Sequence, residues 1–436
     1  MNLFAKLQTQ AAEGRPVRVG LIGAGKFGSM FLSQVPTTPG LEVTTIADLA
    51  TQRAQAAMVE VGWDEAGIAE IDLVTDGAEL AERDDVDVII DATGHPEAGI
   101  QHARAAIAGG KHIIMVNVEA DVLAGPLLAA EARQAGVVYS MAYGDQPALT
   151  AELIDWARAC GFRVIAAGKG TKYLPGYHRI TPATVWDHYG LTADQARAAG
   201  MNSQMFTSFV DGTKSAIEMA AIANACDLTA PKSGLAFPPC GVDDLSHVLR
   251  PSADGGVLEG KGMVEVVSSA ERDGRPVFRD LRWGVYVVVE APNDYAAACF
   301  KQYGLTTDST GRYAALYRPC HLIGLELGVS VLSAALRGEA TGSACAFNGD
   351  VMATAKRDLA TGDVLDGEGG TCVYGKLAPA AASLAADALP IGLAHGIELK
   401  TPVAAGQTVT WADVEIDPDR PAVQARRQME DRFRPA

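Results

Sequence analysis

The stretch VRVGLIGAGKFG at residues 17–28 decides the fold of this 436-residue chain. An apolar run of strand length, residues 17–22, leads directly into glycines at positions 23, 25 and 28, and a helical pattern follows. A second predicted strand, residues 42–47, ends at Asp48. A strand, a glycine turn, a helix and an acid at the end of the next strand together predict a dinucleotide-binding Rossmann domain.

Each glycine of this turn has a distinct predicted role. Gly23 permits the tight turn, Gly25 lets a pyrophosphate approach the backbone, and Gly28 lets helix and strand pack closely. The loop after the fourth strand of such a sheet lies along the nicotinamide ribose, and residues 91–96 occupy that place. The predicted cofactor contacts are Gly23, Gly25, Lys26, Phe27, Gly28, Asp48, Arg53, Thr93, Gly94, His95, Asn117 and Glu119.

The choice between NAD and NADP depends on Asp48 and Arg53. A carboxylate at position 48 would accept hydrogen bonds from the adenosine ribose and repel a 2′-phosphate, which slightly favours NAD. Arg53, about one helical turn later, would either bind such a phosphate or face solvent. Glu119 likewise has two interpretations, as a ligand for a hydroxyl-bearing substrate or as the cap of the following helix. His95 is either a cofactor neighbour or a loop residue without a chemical role.

The chain divides into three predicted parts of an α/β protein. Alternating strands and helices indicate a doubly wound Rossmann domain over residues 1–145. Residues 146–345 read as a mixed α/β catalytic and oligomerisation domain, in which 262–268 and 281–290 alternate like antiparallel strands and 321–336 form a long apolar helix. Residues 346–436 read as a small β-rich domain that ends in a charged, frayed tail from 419.

Composition excludes several partners. The formal charge of −17 leaves no basic excess for nucleic acid or an anionic membrane. The N-terminus lacks the apolar core of a signal peptide, and no apolar run approaches the roughly 18 residues of a membrane span. We therefore expect a cytoplasmic protein with a small-molecule substrate. The apolar central domain predicts a homo-oligomer.

Polar residues that follow predicted strands are the catalytic candidates. Asp145 lies in a Gly/Pro turn, and Lys169 and Lys172 lie on a predicted Gly-rich loop, residues 168–172. Either lysine would handle a proton or polarise a carbonyl, unless both are solvated loop residues. Lys214 would neutralise a substrate anion, and Asp145 and Glu218 would orient hydroxyls or hold a divalent ion. The spacing of Lys214 and Glu218 also suits an ordinary surface pair on a helix.

Several motifs together carry a family resemblance. They are ATGHP (92–96), VNVEADV (116–122), GDQP (144–147), AGKGTKY (167–173), FVDGTK (209–214) and VMATAKRDLATGDVLDGEGG (351–370). With them, nearly the whole chain resembles the predicted homoserine dehydrogenases with a C-terminal SAF domain, which include 1-deoxyxylulose-5-phosphate reductoisomerase-like enzymes. The resemblance implies a β-clip-like SAF domain from about residue 346. Homoserine dehydrogenases carry a lysine where this chain has Val118, and the reductoisomerase-like members are expected to carry an acid where it has Gln146.

The residues and the resemblance together predict an NAD(P)-dependent oxidoreductase acting on a CH–OH group. Its expected substrate is a small polar hydroxy or carbonyl compound such as a sugar acid, polyol or sugar phosphate. The reaction would resemble either a simple hydride transfer or the oxidoreductive isomerisation of the reductoisomerase-like enzymes. The alternatives are a homoserine dehydrogenase and, outside catalysis, a cofactor-binding sensor or scaffold whose SAF domain does the binding.

Overall fold

A computed structural model describes residues 2–435 of the chain. The strands in this range are, in chain order, β1 (Val17–Ile22), β2 (Leu41–Ala47), β3 (Asp72–Val74), β4 (Val88–Asp91), β5 (His112–Met115), β6 (Tyr139–Met141), β7 (Arg163–Thr171), β8 (Met263–Ser268), β9 (Val285–Glu290), β10 (Thr306–Thr307), β11 (Tyr313–Arg318), β12 (Gly349–Ala355), β13 (Val364–Asp366), β14 (Val373–Pro379), β15 (His395–Leu399) and β16 (Val414–Glu415).

The α-helices of the same range are α1 (Leu3–Ala12), α2 (Lys26–Leu32), α3 (Thr51–Glu60), α4 (Glu65–Ala69), α5 (Pro96–Ala108), α6 (Val118–Ala135), α7 (Gln146–Ala159), α8 (Val185–Tyr189), α9 (Ala193–Ala198), α10 (Ser203–Val210), α11 (Thr213–Cys226), α12 (Leu245–Val248), α13 (Asp294–Gln302), α14 (Gly328–Arg337), α15 (Ala380–Ala385) and α16 (Pro421–Arg432). Short 3-10 turns connect several of them. Within residues 2–435, no helix combines the length and the apolar character needed to cross a bilayer.

The first compact unit contains a six-stranded parallel sheet in the order β3-β2-β1-β4-β5-β6. This order confirms the predicted Rossmann fold, and the sheet includes the short strand β3, which we did not predict. The chain reverses its direction of winding between β1 and β4, so their carboxyl ends border the crevice where ligands bind in such sheets. The glycine turn after β1 therefore lies at the expected place.

This unit is assembled from three separated segments, residues 2–149, 321–345 and 424–433. The predicted apolar helix over 321–336 begins only at Gly328, and α14 packs against strands of the parallel sheet. Leu327 and Val331 of this segment have no exposed surface and belong to the core of the sheet. The structure therefore groups residues 321–345 with the Rossmann strands rather than with the central region, because the apolar face of α14 covers that sheet.

The second compact unit comprises residues 150–320, 346–423 and 434–435, and its centre is a mixed sheet in the order β10-β11-β9-β7-β8. The segments 262–268 and 281–290, which were expected to alternate like antiparallel strands, contain β8 and β9, and these two strands run in opposite directions in this sheet. β7 lies between β8 and β9, pairing parallel with the first and antiparallel with the second. Helix α11 is buried along nearly its whole length and packs against β7 and β8 on one side.

The C-terminal β-rich part completes this second unit. β12 and β14 form an antiparallel ladder, and β13, β15 and β16 form a small second sheet. The ladder packs against α11, where a β-carbon added at Gly349 would lie 3.2 Å from the backbone of Ala220. Helix α11 thus lies between the mixed sheet and the C-terminal ladder of the same unit.

Candidate functional site

The glycine turn has the geometry of a cofactor cradle. Gly23 has a φ of +93°, which favours glycine, and a β-carbon at Gly28 would lie 2.2 Å from the Gly23 carbonyl oxygen. A β-carbon at Gly25, by contrast, would meet no atom within 4 Å. The turn is therefore closed on its helix side and open at Gly25, as a pyrophosphate lying on the backbone requires. These residues fit NAD(P).

The Asp48 side chain holds this glycine turn by hydrogen bonds. Its carboxylate accepts hydrogen bonds from the backbone N–H groups of Ala24 (3.0 Å) and Ala50 (2.9 Å) and from Nη2 of Arg53 (2.6 Å). Although burial opposes ionisation, these donors hold the pKa of Asp48 below its ordinary value. The Asp48 side chain has no exposed surface, whereas that of Arg53 is 62% exposed. The predicted ribose contact of Asp48 stays a prediction, and Arg53 is the member of the pair that faces solvent.

A hydrogen-bond network holds the loop after β4. Asp91 is fully buried and contacts Nδ1 of His102 at 2.7 Å, while its Oδ1 accepts from the backbone and hydroxyl of Thr93. Nδ2 of Asn117 donates to the His95 carbonyl (2.9 Å) and to the Thr93 hydroxyl (3.2 Å). The network fixes two loops that follow neighbouring parallel strands.

The remaining predicted cofactor residues lie at loop and helix starts of this unit. Asn117, and not Glu119, caps α6, because its Oδ1 accepts from the N–H of Ala120; Glu119 is buried in the first turn of that helix. His95 caps α5, where its Nδ1 accepts from the N–H of Ala98 at 3.4 Å. Lys26 is exposed at the first position of α2, Phe27 packs against the core, and Gly94 has a φ of +68°.

The second unit carries the catalytic candidates other than Asp145, and here one prediction is wrong. Residues 168–171 are not a loop but the last part of β7. A β-carbon at Gly168 would lie 1.9 Å from the Glu265 carbonyl oxygen, and one at Gly170 would lie 1.9 Å from that of Leu281. The glycines are needed because neighbouring backbones approach closely, and not because the chain turns.

Lys169 and Glu218 form a buried ion pair. Lys169 is 6% exposed on β7, Glu218 is 4% exposed on α11, and the Lys169 ammonium contacts Oε2 of Glu218. Glu218 therefore pairs with a lysine of another element, a contact that its spacing from Lys214 did not predict. Lysine and glutamate are both side chains that can give or take a proton when they are held at a reacting group.

A second polar cluster lies at the start of α11. Oδ1 of Asp211 accepts from the N–H of Thr213 (2.8 Å), and the Asp211 carbonyl accepts from Nδ1 of His178 (2.6 Å). Because a carbonyl only accepts, Nδ1 carries the proton and Nε2 accepts from the hydroxyl of Tyr173 at 3.1 Å. Burial lowers the pKa of His178 and raises that of Tyr173.

A buried acid supports this cluster from the next strand. Glu265 is 3% exposed on β8 and accepts from the N–H groups of Ala236, Phe237 and Val266. Burial raises the pKa of Glu265 to about 7. These bonds hold Phe237 at a φ of +49°, and its ring stacks on Tyr173 at 4.1 Å between centroids.

The other predicted catalytic residues are Asp145, Lys172 and Lys214. Asp145 is buried in the first unit, where its Oδ1 accepts from the N–H of Gln146, and Lys172 and Lys214 are partly buried in the second. Within residues 2–435, no three His, Cys, Asp or Glu side chains are grouped to hold a metal ion. The predicted metal-ligand roles of Asp145 and Glu218 stay predictions.

Sequence reasoning missed several residues of these networks, namely Asp91, His102, Tyr173, His178, Glu265 and Lys356. Two signals pointed toward them. The loop of residues 173–188 is rich in tyrosine and histidine, and Lys356 lies within the long C-terminal motif. Neither signal says which partner each side chain meets, because the partners come from distant segments.

Three family models match the chain. They are "Oxidoreductase family, NAD-binding Rossmann fold" over residues 17–142, "Oxidoreductase DRL, catalytic domain" over residues 144–327, and "SAF domain" over residues 351–415. No curated protein matches the chain in sequence.

Among solved structures, the chain is similar to a 3-ketoreductase from Actinomadura kijaniata, with 22% identity over 36% of this chain and 50% of that one and a TM-score of 0.26. It is similar to a myo-inositol dehydrogenase from Lactobacillus casei, with 16% identity over 39% and 50% and a TM-score of 0.30. A probable dehydrogenase from Thermotoga maritima is 15% identical over 74% of this chain and 90% of that one, with a TM-score of 0.36. The chain thus matches only half the length of the ketoreductase and half the length of the inositol dehydrogenase.

The family matches, taken with the geometry, confirm two predictions. The fold is a Rossmann domain, a mixed α/β catalytic domain and a small β-rich SAF domain. The two larger matches are to oxidoreductase models, one of them with an NAD-binding Rossmann fold, in agreement with the predicted class of NAD(P)-dependent oxidoreductase.

Proposed function

We propose that the enzyme transfers hydride between NAD(P) and a small polar hydroxy or carbonyl compound, such as a sugar acid, a polyol or a sugar phosphate. The observation that carries this proposal is the buried Lys169–Glu218 ion pair within the segment matched by an oxidoreductase catalytic domain. Reduction of a carbonyl places negative charge on its oxygen, and a proton must reach that oxygen. A buried ammonium held by a carboxylate is suited to supply it.

The chain's own residues have separable roles in this reaction. Lys169 donates a proton to the developing alkoxide, or polarises the carbonyl, and in the reverse direction takes the proton back. Glu218 keeps the Lys169 ammonium in place between the strand and α11. Lys172 and Lys214 would neutralise an anionic group of the substrate, and Asp145 would accept hydrogen bonds from its hydroxyls.

The cofactor supplies the hydride chemistry when bound. Gly23, Gly25 and Gly28 would hold its pyrophosphate, because the turn is open at Gly25 and closed at Gly28. Asp48 keeps the turn in shape through the Ala24 N–H, and Arg53 presents its guanidinium to solvent beside it. Both NAD and NADP suit this arrangement, since the negative charge of Asp48 is paired with the positive charge of Arg53.

An oxidoreductive isomerisation is the finer form of this function that the family resemblance implies. It would use the same Lys169–Glu218 pair to hold the oxygen of the rearranging carbonyl. For a homoserine dehydrogenase the support is weaker, because the residue after Asn117 is Val118, which is 6% exposed in the first turn of α6. A homodimer or larger homo-oligomer is our expectation for the assembly.

Steady-state kinetics with Lys169→Met and Glu218→Gln test the proposal. A panel of polyols, sugar acids, sugar phosphates and homoserine is first assayed with the wild type and both cofactors. On the best substrate we expect Lys169→Met to lower kcat/KM by about 10²- to 10⁴-fold while the Kd for NAD(P) stays unchanged. Glu218→Gln should lower it less, because the lysine remains.

Lys301→Met is the matched control, since Lys301 is exposed on α13 and has no proposed role in binding cofactor or substrate; it should leave kcat/KM and the Kd for NAD(P) unchanged. Wild-type kcat/KM in Lys169→Met would overturn the proposed role of the pair. Tight cofactor binding without turnover of any panel member would instead favour the sensor or scaffold alternative. Turnover of homoserine alone would identify the homoserine dehydrogenase alternative.

A further inference from the structure

The SAF segment reaches the start of α11 through Lys356. Its Nζ donates to the carbonyls of Ile180 and Gly370, and it forms an ion pair with Oδ2 of Asp211, each at 2.7 Å. The side chains of Lys356 and Asp211 are 2% and 0% exposed. The buried ammonium is thus paired with a buried carboxylate and donates two hydrogen bonds to backbone carbonyls.

Two further contacts come from the same segment. The N–H of Gly375 donates to the hydroxyl of Thr213 at 2.8 Å. The ring of Tyr374 stacks on His178 with centroids 4.5 Å apart and planes inclined by 22°. Residues of the SAF match, 351–415, therefore contact three features of the DRL match, namely the His178 ring, the Asp211 carboxylate and the first residue of α11.

These contacts hold Asp211 and His178, which are linked to the elements that carry Lys169 and Glu218. Asp211 directly precedes the helix that carries Glu218, and its carbonyl fixes the tautomer of His178. The other side of His178 accepts from Tyr173, which lies just beyond the strand that carries Lys169. Hydrogen bonds through His178 thus connect the end of β7, which carries Lys169, with the start of α11, which carries Glu218. The SAF segment contacts this connection.

We propose that the SAF domain completes the catalytic centre, with Lys356 as a positioning residue that acts through Asp211 on His178 and on the start of α11. This inference rests on the function proposed above for Lys169 and Glu218. It assigns the SAF domain a role in catalysis, in place of a separate binding task. It also explains why a lysine, rather than an apolar residue, is buried between the two segments.

The electrostatics around His178 provide a direct readout. Burial lowers its pKa, the charge of Asp211 raises it, and the charges of Lys356 and Lys376 lower it, while Tyr173 and Tyr374 are its uncharged neighbours. Removing the positive charge of Lys356 takes away an effect that lowers the pKa of His178. It also leaves the negative charge of Asp211, which raises that pKa, without its ion-pair partner. Lys356→Met should therefore raise the pKa of His178, and Lys356→Met/Asp211→Asn should return it toward the wild-type value.

The test is an NMR titration of full-length protein labelled with ¹⁵N-histidine, without substrate, in wild type, Lys356→Met and the double variant. The His178 signal is assigned by its loss in His178→Gln. Lys400→Met, an exposed lysine of the same SAF segment, is the control and should leave the titration unchanged. If Lys356→Met fails to fold because Asp211 is left as an unpaired buried charge, the double variant is compared with Asp211→Asn alone. Both of these variants lack the Asp211 charge, and only the double variant also lacks the Lys356 charge. The pKa of His178 should therefore be higher in the double variant than in Asp211→Asn.

An unchanged His178 titration in the variants that lack Lys356, or an equal shift in Lys400→Met, would overturn the proposal. Because no substrate is present, this outcome is independent of whether the oxidoreductase function itself is correct. Calorimetry with NAD(P) checks the first unit separately, and its Kd should be the same in all variants. Where a panel substrate is turned over, kcat should fall in Lys356→Met with KM little changed, and Lys356→Arg should restore part of it.

Discussion

A single buried carboxyl group in the Rossmann unit should make stability depend on pH. Asp121 is 2% exposed, its Oδ1 accepts from the Tyr139 hydroxyl, and burial raises its pKa to about 6 from an ordinary 3.8. The folded state therefore binds this proton more tightly than the unfolded state, and stability is lost as the pH rises from about 4 through 6. Asp121→Asn removes the titration. Relative to wild type it should gain about 3 kcal/mol between these pH limits, measured by urea unfolding.

Asp308→Asn is the matched control with the opposite sign. Asp308 is also 2% exposed, but hydrogen bonds from Tyr313 and Thr310 and the nearby charge of Arg250 lower its pKa despite burial. Its stabilising contribution is present above its ordinary pKa and lost on acidification, so Asp308→Asn should lose stability relative to wild type as the pH rises. Parallel pH profiles for wild type and Asp121→Asn would contradict the assignment.

The same scale shows what sequence reasoning can see in a catalytic site. Lys169 and Glu218 were both selected from the sequence, because charged residues in Gly- or Ala-rich surroundings suggest a specific purpose. Their pairing was not predicted, since it joins a strand and a helix separated by many residues. Asp48 was also selected, but for a ribose contact, whereas its carboxylate holds the Ala24 N–H in the structure. Residue type and local spacing indicate chemistry, while partners depend on the tertiary fold.

At the scale of elements, the β1–α2 turn separates folding from cofactor binding. A β-carbon at Gly25 would meet no protein atom within 4 Å, and Gly25 has a φ of −72°, outside the left-handed region that favours glycine. Gly25→Val should therefore fold with a nearly unchanged melting temperature but weaken NAD(P) binding at least about tenfold, measured by calorimetry. The added side chain would occupy the space that the pyrophosphate needs.

Gly28→Ala should behave in the opposite way. Its β-carbon would overlap the Gly23 carbonyl, so the helix must move and stability should fall by about 2 kcal/mol or more in thermal unfolding. If Gly25→Val bound both cofactors as tightly as wild type, the proposed position of the pyrophosphate would be wrong. If Gly28→Ala unfolded at the wild-type temperature, the contact with Gly23 would not be tight.

Strand β7 shows why element boundaries are harder to predict than element types. Residues 168–172 were interpreted as a Gly-rich loop that follows a strand. In the structure, Gly168 and Gly170 lie within the strand. They are glycines because two neighbouring backbones leave no space for a β-carbon at either position. Glycine in a sequence signals either a turn or a close approach, and only the neighbouring chain distinguishes them.

At the scale of the whole molecule, the chain returns to its first unit twice. The parallel sheet was predictable because each βαβ step is local in sequence. The return of α14 and of the C-terminal helix was not, because it depends on apolar faces that meet over several hundred residues. The segment after 419 was expected to fray owing to its charge. It instead forms α16, in which Arg426 is fully buried and its Nε donates to Glu430 at 2.7 Å.

This helix gives a prediction that distinguishes a frayed tail from a structural element. Met429 has no exposed surface, whereas Asp431, two residues later, is exposed on the same helix. Met429→Ala should lower the free energy of unfolding by about 2–5 kcal/mol, because a cavity forms under α16. Asp431→Ala should change it by less than about 0.5 kcal/mol. Thermal unfolding of the full-length variants measures both, and equal melting temperatures for the two would mean that α16 does not pack as described. A large loss confined to Met429→Ala would show that the last turns of the chain stabilise the fold that binds the cofactor.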